Sequence, residues 1–183
     1  MAGPTSKLAR FRRYFLSPAR GIPPLQAGHL IPLDARGLTM VGVDYRLERF
    51  VEAQEFGFDD VLVELRTGRK SSHWIWFIFP QIAGLGHSPV SQLYAITSLD
   101  EARAYLAHPV LGARLRECAG ILLTIRDRSA AAILGPTDAL KLRSCMTLFQ
   151  RAAPDELVFG QVLDRFYDGV GDALTYARLG DSE

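Results

Sequence analysis

Residues 68–86 read GRKSSHWIWFIFPQIAGLG, and this stretch decides the fold. Two indoles and two phenyl rings lie within the nine residues from His73 to Gln81, with basic residues before them and glycines after. An aromatic side chain buries about 150–250 Å², so an exposed run of this kind would form a large hydrophobic surface patch that promotes association. The run is therefore predicted to be core or the wall of a pocket. Lys70, His73 and Gln81 lie at its edges, where a core could end and a cleft could begin.

The aromatic run is compatible with two secondary structures. Aromatic residues favour strands and the run is short, so a buried strand is one interpretation. A lone strand is not viable, however, and the chain offers no second strand candidate for it to pair with. The prediction is a helix that begins at Ser71 or Ser72 and stops near Pro80.

Helical signals continue on both sides of this run. On the N-terminal side, apolar residues recur at three- and four-residue steps, with Asp44 as an N-cap and Gly57 between two helices, the second of which ends at Gly68. Further helices are predicted to begin at Ser88-Pro89, at the capping box Ser98–Glu101, at Pro109, and at Thr137 or Asp138. The helix that begins at the capping box ends near Ala107, and a short turn begins at Ser129. The last two predicted helices are Leu157–Tyr167 and Asp172–Leu179. The predicted fold is all-α, a compact single domain of about eight or nine short, orthogonally packed helices.

Residues 1–43 are interpreted as a basic N-terminal extension of a helical domain at 44–180. The extension contains Pro and Gly and carries six basic residues against one acidic residue. Its net charge is +5, so the other 140 residues carry −4 of the formal +1. We predict a poorly ordered segment, with a targeting segment or a start site assigned upstream of Met40 as the alternatives. A mildly acidic domain does not favour a duplex nucleic-acid partner, and none is expected.

Several protein classes are disfavoured by what the sequence lacks. Cys118 and Cys145 are the two cysteines, and they have neither CxxC nor Cys/His ligand spacing, which favours a reducing compartment over a disulfide framework or a thiolate zinc site. No apolar run reaches the roughly 18–20 residues of a membrane span, and no secretory signal is visible. The expectation is a cytoplasmic protein with no membrane partner.

The chain also lacks the common catalytic and cofactor motifs. Its four histidines are scattered, and there is no HExxH, GxGxxG, P-loop or GxSxG. No metal and no cofactor are therefore expected. Both cysteines lie in apolar helical contexts that raise the pKa of a thiol, so neither is expected to be a nucleophile. The sequence assigns no catalytic residue, although Glu52, Glu64 and Asp138 are available carboxylates.

Long motifs along the chain resemble those of a known family. They are Phe50–Gln54, Glu64-Leu65 with Gly68–Lys70, Ser72–Gln81 with Gly84–Gly86, Tyr94–Ile96, Tyr105–Gly112 and Lys141–Phe149. On these motifs the stretch from Asp44 to Leu179 is similar to the bacterial and fungal family called domain of unknown function 1810. The resemblance implies an all-α, cytoplasmic single domain without an assigned biochemical function. The family pattern usually has two serines before Met-Thr, and here the second is Cys145.

Two polar clusters and one isolated histidine are the candidate ligand-binding residues. They are Lys70, His73, Trp74 and Gln81 at the aromatic run, His108 beside a proline, and Lys141, Arg143, Ser144 and Thr147 on a later helix. Lysine, arginine and hydroxyl groups suit a phosphate or carboxylate, and tryptophan suits a planar base or sugar. The simpler alternatives are an aromatic core with His73 bonded to a carbonyl, a His108 that caps the carbonyls at a helix end, and a solvated polar stripe at 141–147.

These residues support two functional hypotheses. In the first, the two clusters face one cleft of a small pocket protein that binds or hydrolyses a phosphorylated or nucleotide-like molecule, such as an ADP-ribose-like compound. The alternative is a non-catalytic ligand-sensing or protein-interaction module that uses the same cleft. A titratable group with a strongly shifted pKa in the pocket would favour an enzyme, and a closed apolar cleft without one would favour the module.

Overall fold

The computed structural model describes residues 44–55 and 57–180, and ten helices form the regular structure of this part of the chain. They are α1 Glu48–Glu55, α2 Phe58–Arg66, α3 Ile75–Ile78, α4 Pro89–Leu93, α5 Leu99–Ala107, α6 Leu111–Thr124, α7 Ala130–Leu134, α8 Pro136–Ala152, α9 Leu157–Tyr167 and α10 Ala173–Leu179. The described residues contain no strand, although Ile82 and Ile96 form an isolated parallel bridge. The all-α prediction is confirmed, with slightly more helices than expected. The predicted extension at 1–43 lies outside the described residues.

Side-chain caps begin three helices at boundaries that the sequence predicts, although the sequence predicts a short turn and not a helix after Ser129. Ser88, Ser129 and Asp172 each accept a hydrogen bond from a backbone N–H three residues on, at the starts of α4, α7 and α10. Such a bond satisfies one of the N–H groups that a helix start leaves unpaired. The break at Gly57 and the full span of α9 also agree with the sequence prediction.

Outside the aromatic run, three predicted helix starts are wrong, and one of them is Pro109, because α6 begins at Leu111. Asp44 accepts a hydrogen bond from the N–H of Arg46, but Arg46 has a φ of 52°, a left-handed conformation that no helix can continue through, and α1 begins at Glu48. Gly135, with a φ of 87°, precedes α8, which therefore begins at Pro136 and includes Asp138 in its first turn. An acidic side chain in that position still favours the helix dipole.

The capping box at α5 is only half formed. Ser98 accepts from the N–H of Glu101, as predicted. The carboxylate of Glu101 does not return to Ser98, because it accepts from the N–H and hydroxyl of Thr97 and forms an ion pair with Arg49. Glu101 is 2% exposed, so this pair joins α1 to α5 inside the core.

The aromatic run is core, but its helix is much shorter than predicted. α3 contains only Ile75–Ile78. The N–H groups of Ser71 and Ser72 donate to the carboxylate of Glu64 on α2 and therefore do not begin a helix. Competition between a side-chain acceptor and the helical hydrogen-bond pattern explains the difference.

α8 is the central helix of the described residues. It packs against α3, α5, α7, α9 and α10. A row of rings runs beside it, with centroid separations of 5.0 Å for Phe50–Tyr105, 5.4 Å for Tyr105–Phe149 and 5.7 Å for Phe149–Phe159. These separations are typical of favourable aromatic pairs. Because α3 packs on α8, the aromatic run and the beginning of α8 are neighbours.

Both cysteines are free thiols in this core. Cys118 lies on α6 and Cys145 on α8, and each is fully buried. Burial raises the pKa of the Cys118 thiol to about 12 and that of Cys145 well above its ordinary value. A thiol that stays protonated is a poor nucleophile, so the sequence interpretation of both residues is confirmed.

Candidate functional site

Lys70 and Lys141 meet at a single carboxylate. The Nζ of Lys70 lies 2.7 Å from Oδ2 of Asp138, and the Nζ of Lys141 lies 2.8 Å from Oδ1 of the same residue. Lys70 belongs to the loop between α2 and α3, whereas Asp138 and Lys141 are one turn apart on α8. The structure therefore brings one member of each predicted cluster together.

Both ammonium groups also lie against tryptophan rings. The Nζ of Lys70 is 5.1 Å from the ring centroid of Trp74, and the Nζ of Lys141 is 4.6 Å from that of Trp76. Cation–π contacts of this kind contribute about 0.5–2 kcal/mol each. We refer to Lys70, Trp74, Trp76, Asp138 and Lys141 as the lysine–tryptophan cluster.

The lysine–tryptophan cluster is buried on one side and open to solvent on the other. Trp74 is 2% exposed and belongs to the core, whereas the ring of Trp76 is half-buried. The side chain of Lys70 is 9% exposed and that of Lys141 is 19% exposed. Lys141 and Trp76 therefore form the accessible side of the cluster.

Asp138 is held in its ionised form. Burial alone would raise the pKa of this carboxyl group, but the hydrogen bonds and charges of Lys141 and Lys70 outweigh burial and lower it. At neutral pH the cluster therefore contains two positive charges and one negative charge. The five residues carry a net charge of +1, and the ionised carboxylate of Glu64, which accepts from Nε1 of Trp74, balances it.

Glu64 fixes the loop that carries Lys70 and Trp74. Its Oε2 accepts hydrogen bonds from the N–H groups of Ser71 and Ser72 at 2.8 and 3.1 Å and from Nε1 of Trp74 at 2.8 Å. Burial would raise the pKa of Glu64, but these hydrogen bonds lower it from the ordinary 4.5 to about 2. The loop conformation therefore depends on an ionised carboxylate.

We expect Glu64→Gln to remove part of the acid sensitivity of the fold. Because the pKa of Glu64 is lower in the folded chain than in the unfolded chain, its stabilising contribution is complete above pH 4.5 and is lost as the pH falls toward about 2. Urea titrations at several pH values in this window should show a steeper loss of unfolding free energy for the parent than for the variant. Parallel losses in the two proteins would contradict the role assigned to Glu64.

Among the described residues, His73, Gln81 and His108 form no hydrogen bond with the lysine–tryptophan cluster. His73 is exposed and forms no hydrogen bond within the described residues. Gln81 is half-buried, and its backbone carbonyl accepts from the N–H of Ile96. Nδ1 of His108 accepts from two backbone N–H groups at the start of α6, at 3.2 and 3.3 Å. His108 thus serves as a helix cap, at a helix start and not at the carbonyl end that the sequence suggested.

Ser144 and Thr147 hold the start of α10. They are 4% and 0% exposed, so the expectation of a solvated stripe is wrong for both. The hydroxyl of Ser144 donates to Oδ2 of Asp172 at 3.0 Å, and the N–H of Asp172 donates to the hydroxyl of Thr147 at 2.8 Å. Arg143, on the same face of α8, donates from Nε to the carbonyl of Val170 at 2.9 Å. These side chains anchor the segment before α10.

Two carboxylates that sequence reasoning did not pair with these side chains explain the arrangements. The basic and hydroxyl groups of α8 suggested an external anion, but Asp138 and Asp172 supply anions from within the chain. The three-residue spacing of Asp138 and Lys141 is a usable signal for the first pair. Asp172 is distant in sequence from Ser144, and no local pattern links them.

The described residues contain neither a cluster of metal ligands nor a membrane-spanning helix. Within residues 44–55 and 57–180, no group of three or more His, Cys, Asp or Glu side chains is arranged to hold a metal ion. None of the helices in these ranges combines the length and apolarity needed to cross a membrane.

Comparison with known proteins supports the sequence resemblance. The family model for "Protein of unknown function (DUF1810)" matches residues 44–179. Among solved structures, the chain is similar to the conserved hypothetical protein Rv1873 of Mycobacterium tuberculosis, with 48% identity and a TM-score of 0.74. The match covers 75% of this chain and 99% of that protein. A search of curated proteins found no match.

Proposed function

The chain belongs to the DUF1810 family of proteins of unknown function, and from that premise we propose that it binds a phosphorylated, nucleotide-like small molecule. The proposed site is the lysine–tryptophan cluster, with Lys141 and Trp76 as the residues that contact the ligand. Lys70 and Asp138 hold Lys141 in position and set the charge of the site.

The convergence of two ammonium groups on one carboxylate is the observation that supports this proposal. An ammonium has three N–H donors. Among the described residues, Lys70 uses two of them, on Asp138 and on the carbonyl of Ser72, whereas Lys141 uses one, on Asp138. Lys141 therefore keeps donors for a phosphoryl oxygen, and a charge-assisted hydrogen bond from its ammonium favours an anionic acceptor.

Trp76 offers a surface for a planar group beside this charge. Its ring is half-buried, and the ammonium of Lys141 lies 4.6 Å from the ring centroid. Stacking of a base on an aromatic side chain contributes about 1–3 kcal/mol. A nucleotide has both a base and a phosphoryl group, whereas a nucleoside or a phosphate ion has one of the two. A nucleotide-like ligand therefore fits the cluster better than either part alone.

The carboxylates of this region do have shifted pKa values, which alone would favour an enzyme, but the direction of the shifts does not suit general-base hydrolysis. A general base works best when its pKa is near the working pH. Burial raises the pKa of Asp138, but its two lysine partners outweigh burial and lower it. Hydrogen bonds bring the pKa of Glu64 to about 2. Both carboxylates are therefore weak bases. A non-catalytic ligand sensor is the better supported form of the proposal, and hydrolysis of the bound ligand is the second candidate.

A thermal-shift screen against nucleotides, nucleosides and ADP-ribose tests the proposal. A ligand that binds only the folded state raises the melting temperature by mass action. We expect the phosphorylated compounds to raise it more than the matching nucleosides, and chromatography of the mixtures to recover the ligand intact. The proposal fails if no phosphorylated compound raises the melting temperature, or if nucleosides act as strongly as nucleotides. Conversion of the ligand would select the hydrolytic candidate.

A further inference from the structure

A charged depression, open to solvent, is formed by the loop between α6 and α7 together with α9. Its volume is about 510 Å³, and its lining residues are Arg126, Asp127, Arg128, Ser129, Arg165 and Phe166. Small-molecule sites in proteins usually have volumes of about 300–1,000 Å³. None of these residues belongs to the lysine–tryptophan cluster. We refer to this site as the arginine cavity.

The positive charges of the arginine cavity are not neutralised by ion pairs. Within the described part of the chain, none of its three arginines lies in a salt bridge with a carboxylate. With Asp127 as the one acidic residue of the lining, the formal charge of the lining is +2. An anion with two negative charges would balance it.

Backbone carbonyls hold two of the guanidinium groups in place. Nη1 of Arg128 donates to the carbonyl of Gly68 at 2.9 Å, and Nη2 of Arg165 donates to the carbonyl of Ile125 at 3.2 Å. A carbonyl orients a guanidinium without removing its charge, and most of its five N–H donors stay available. The third arginine, Arg126, is exposed. The donors are thus partly preorganised for an incoming acceptor.

We propose that the arginine cavity binds the phosphomonoester group of a sugar- or nucleotide-sized molecule. At neutral pH a phosphomonoester has about two negative charges and three acceptor oxygens, which match the charge and the donors of the cavity. The planar fork of a guanidinium binds such oxygens in pairs, which a lysine does not. The cavity volume leaves room for the rest of the molecule beside Phe166. This site is independent of the one under the proposed function, because the two share no residue.

Calorimetric titration with ribose 5-phosphate tests the assignment, with ribose as the uncharged control. This probe has no aromatic ring and therefore lacks the feature that Trp76 would bind. Arg126→Gln should weaken binding of ribose 5-phosphate about tenfold or more, since it removes a charge-assisted contact. Arg126→Lys should restore part of the loss, because it keeps the charge without the fork. Arg103→Gln removes an exposed arginine of α5 and should bind like the parent.

The arms of this titration separate the two sites. The proposal is supported if the parent binds ribose 5-phosphate but not ribose and Arg126→Gln weakens that binding. It is overturned if the parent does not bind ribose 5-phosphate, or if Arg126→Gln binds it as tightly as the parent does. It is also overturned if Lys141→Gln, and not Arg126→Gln, loses the affinity, because the probe would then lie at the lysine–tryptophan cluster. Unchanged melting temperatures of the variants exclude loss of fold.

Discussion

Replacing Trp74 with alanine is expected to lower the free energy of unfolding by about 3–5 kcal/mol, the usual range for deleting a buried aromatic side chain. Trp74 is 2% exposed, and its ring lies 6.2 Å from that of Phe79. The substitution also removes the Nε1 donor that Glu64 accepts at 2.8 Å. A partly buried carboxylate would lose one of the hydrogen bonds that keep it ionised. Urea unfolding at neutral pH measures the effect.

Trp76→Ala is the matched control for this prediction. Trp76 is on α3 of the same aromatic run, but its ring is half-buried, so its removal leaves a smaller cavity and should cost less. If the two substitutions cost the same, the division of the run into a core residue and a surface residue would be wrong. If Trp74→Ala left the melting temperature unchanged, Trp74 would not be part of the core.

Replacing Arg49 with methionine is expected to cost about 3–5 kcal/mol, because it leaves a buried carboxylate without its charge partner. Glu101 is 2% exposed, and Arg49 is the cation paired with it. Arg49 also donates to the carbonyls of Leu93 and Ala95, each at 3.0 Å. Methionine retains much of the apolar stem, so the loss reports on the charge and the hydrogen bonds more than on packing. Chemical unfolding of the variant gives the value.

Two controls make the Arg49 result specific. Arg66→Met breaks the ion pair between Arg66 and Glu117, whose side chains are 59% and 44% exposed. It should lower the free energy of unfolding by less than about 1 kcal/mol. In a double-mutant cycle, Glu101→Gln combined with Arg49→Met should cost less than the sum of the single changes, since each removes the same interaction. Additive costs would show that the two side chains do not depend on each other.

The fold was largely predictable because its signals are local. Proline and capping residues mark the start of α4 at Ser88, and apolar periodicity gives α9 in full. The aromatic run is the informative exception. Its composition predicts burial correctly, but the length of α3 depends on Glu64 of α2, which accepts from Ser71 and Ser72. A hydrogen bond between neighbouring elements of the fold leaves no periodic pattern in the sequence.

The candidate site was predictable only in part, because some of its contacts also join elements that are distant in the sequence. Sequence reasoning placed Lys70 and Lys141 in one site, and the structure brings both to Asp138. It could not predict that Ser144 and Thr147 bind Asp172, because that contact depends on how α10 packs against α8. The arginine cavity was missed because its residues come from the loop before α7 and from α9, and neither segment has a motif.

Isothermal titration of the parent and Lys141→Gln with ADP-ribose is the most direct measurement of the proposed function. Lys141→Gln removes the charge and donors that face the solvent side of the lysine–tryptophan cluster, while Asp138 keeps its bond to Lys70. We expect the parent to bind, Lys141→Gln to bind about tenfold more weakly or worse, and its melting temperature to fall by only a few degrees, because it loses one cation–π contact while Asp138 keeps Lys70. Equal affinity of the two proteins for ADP-ribose, or no binding by the parent, would contradict the proposal.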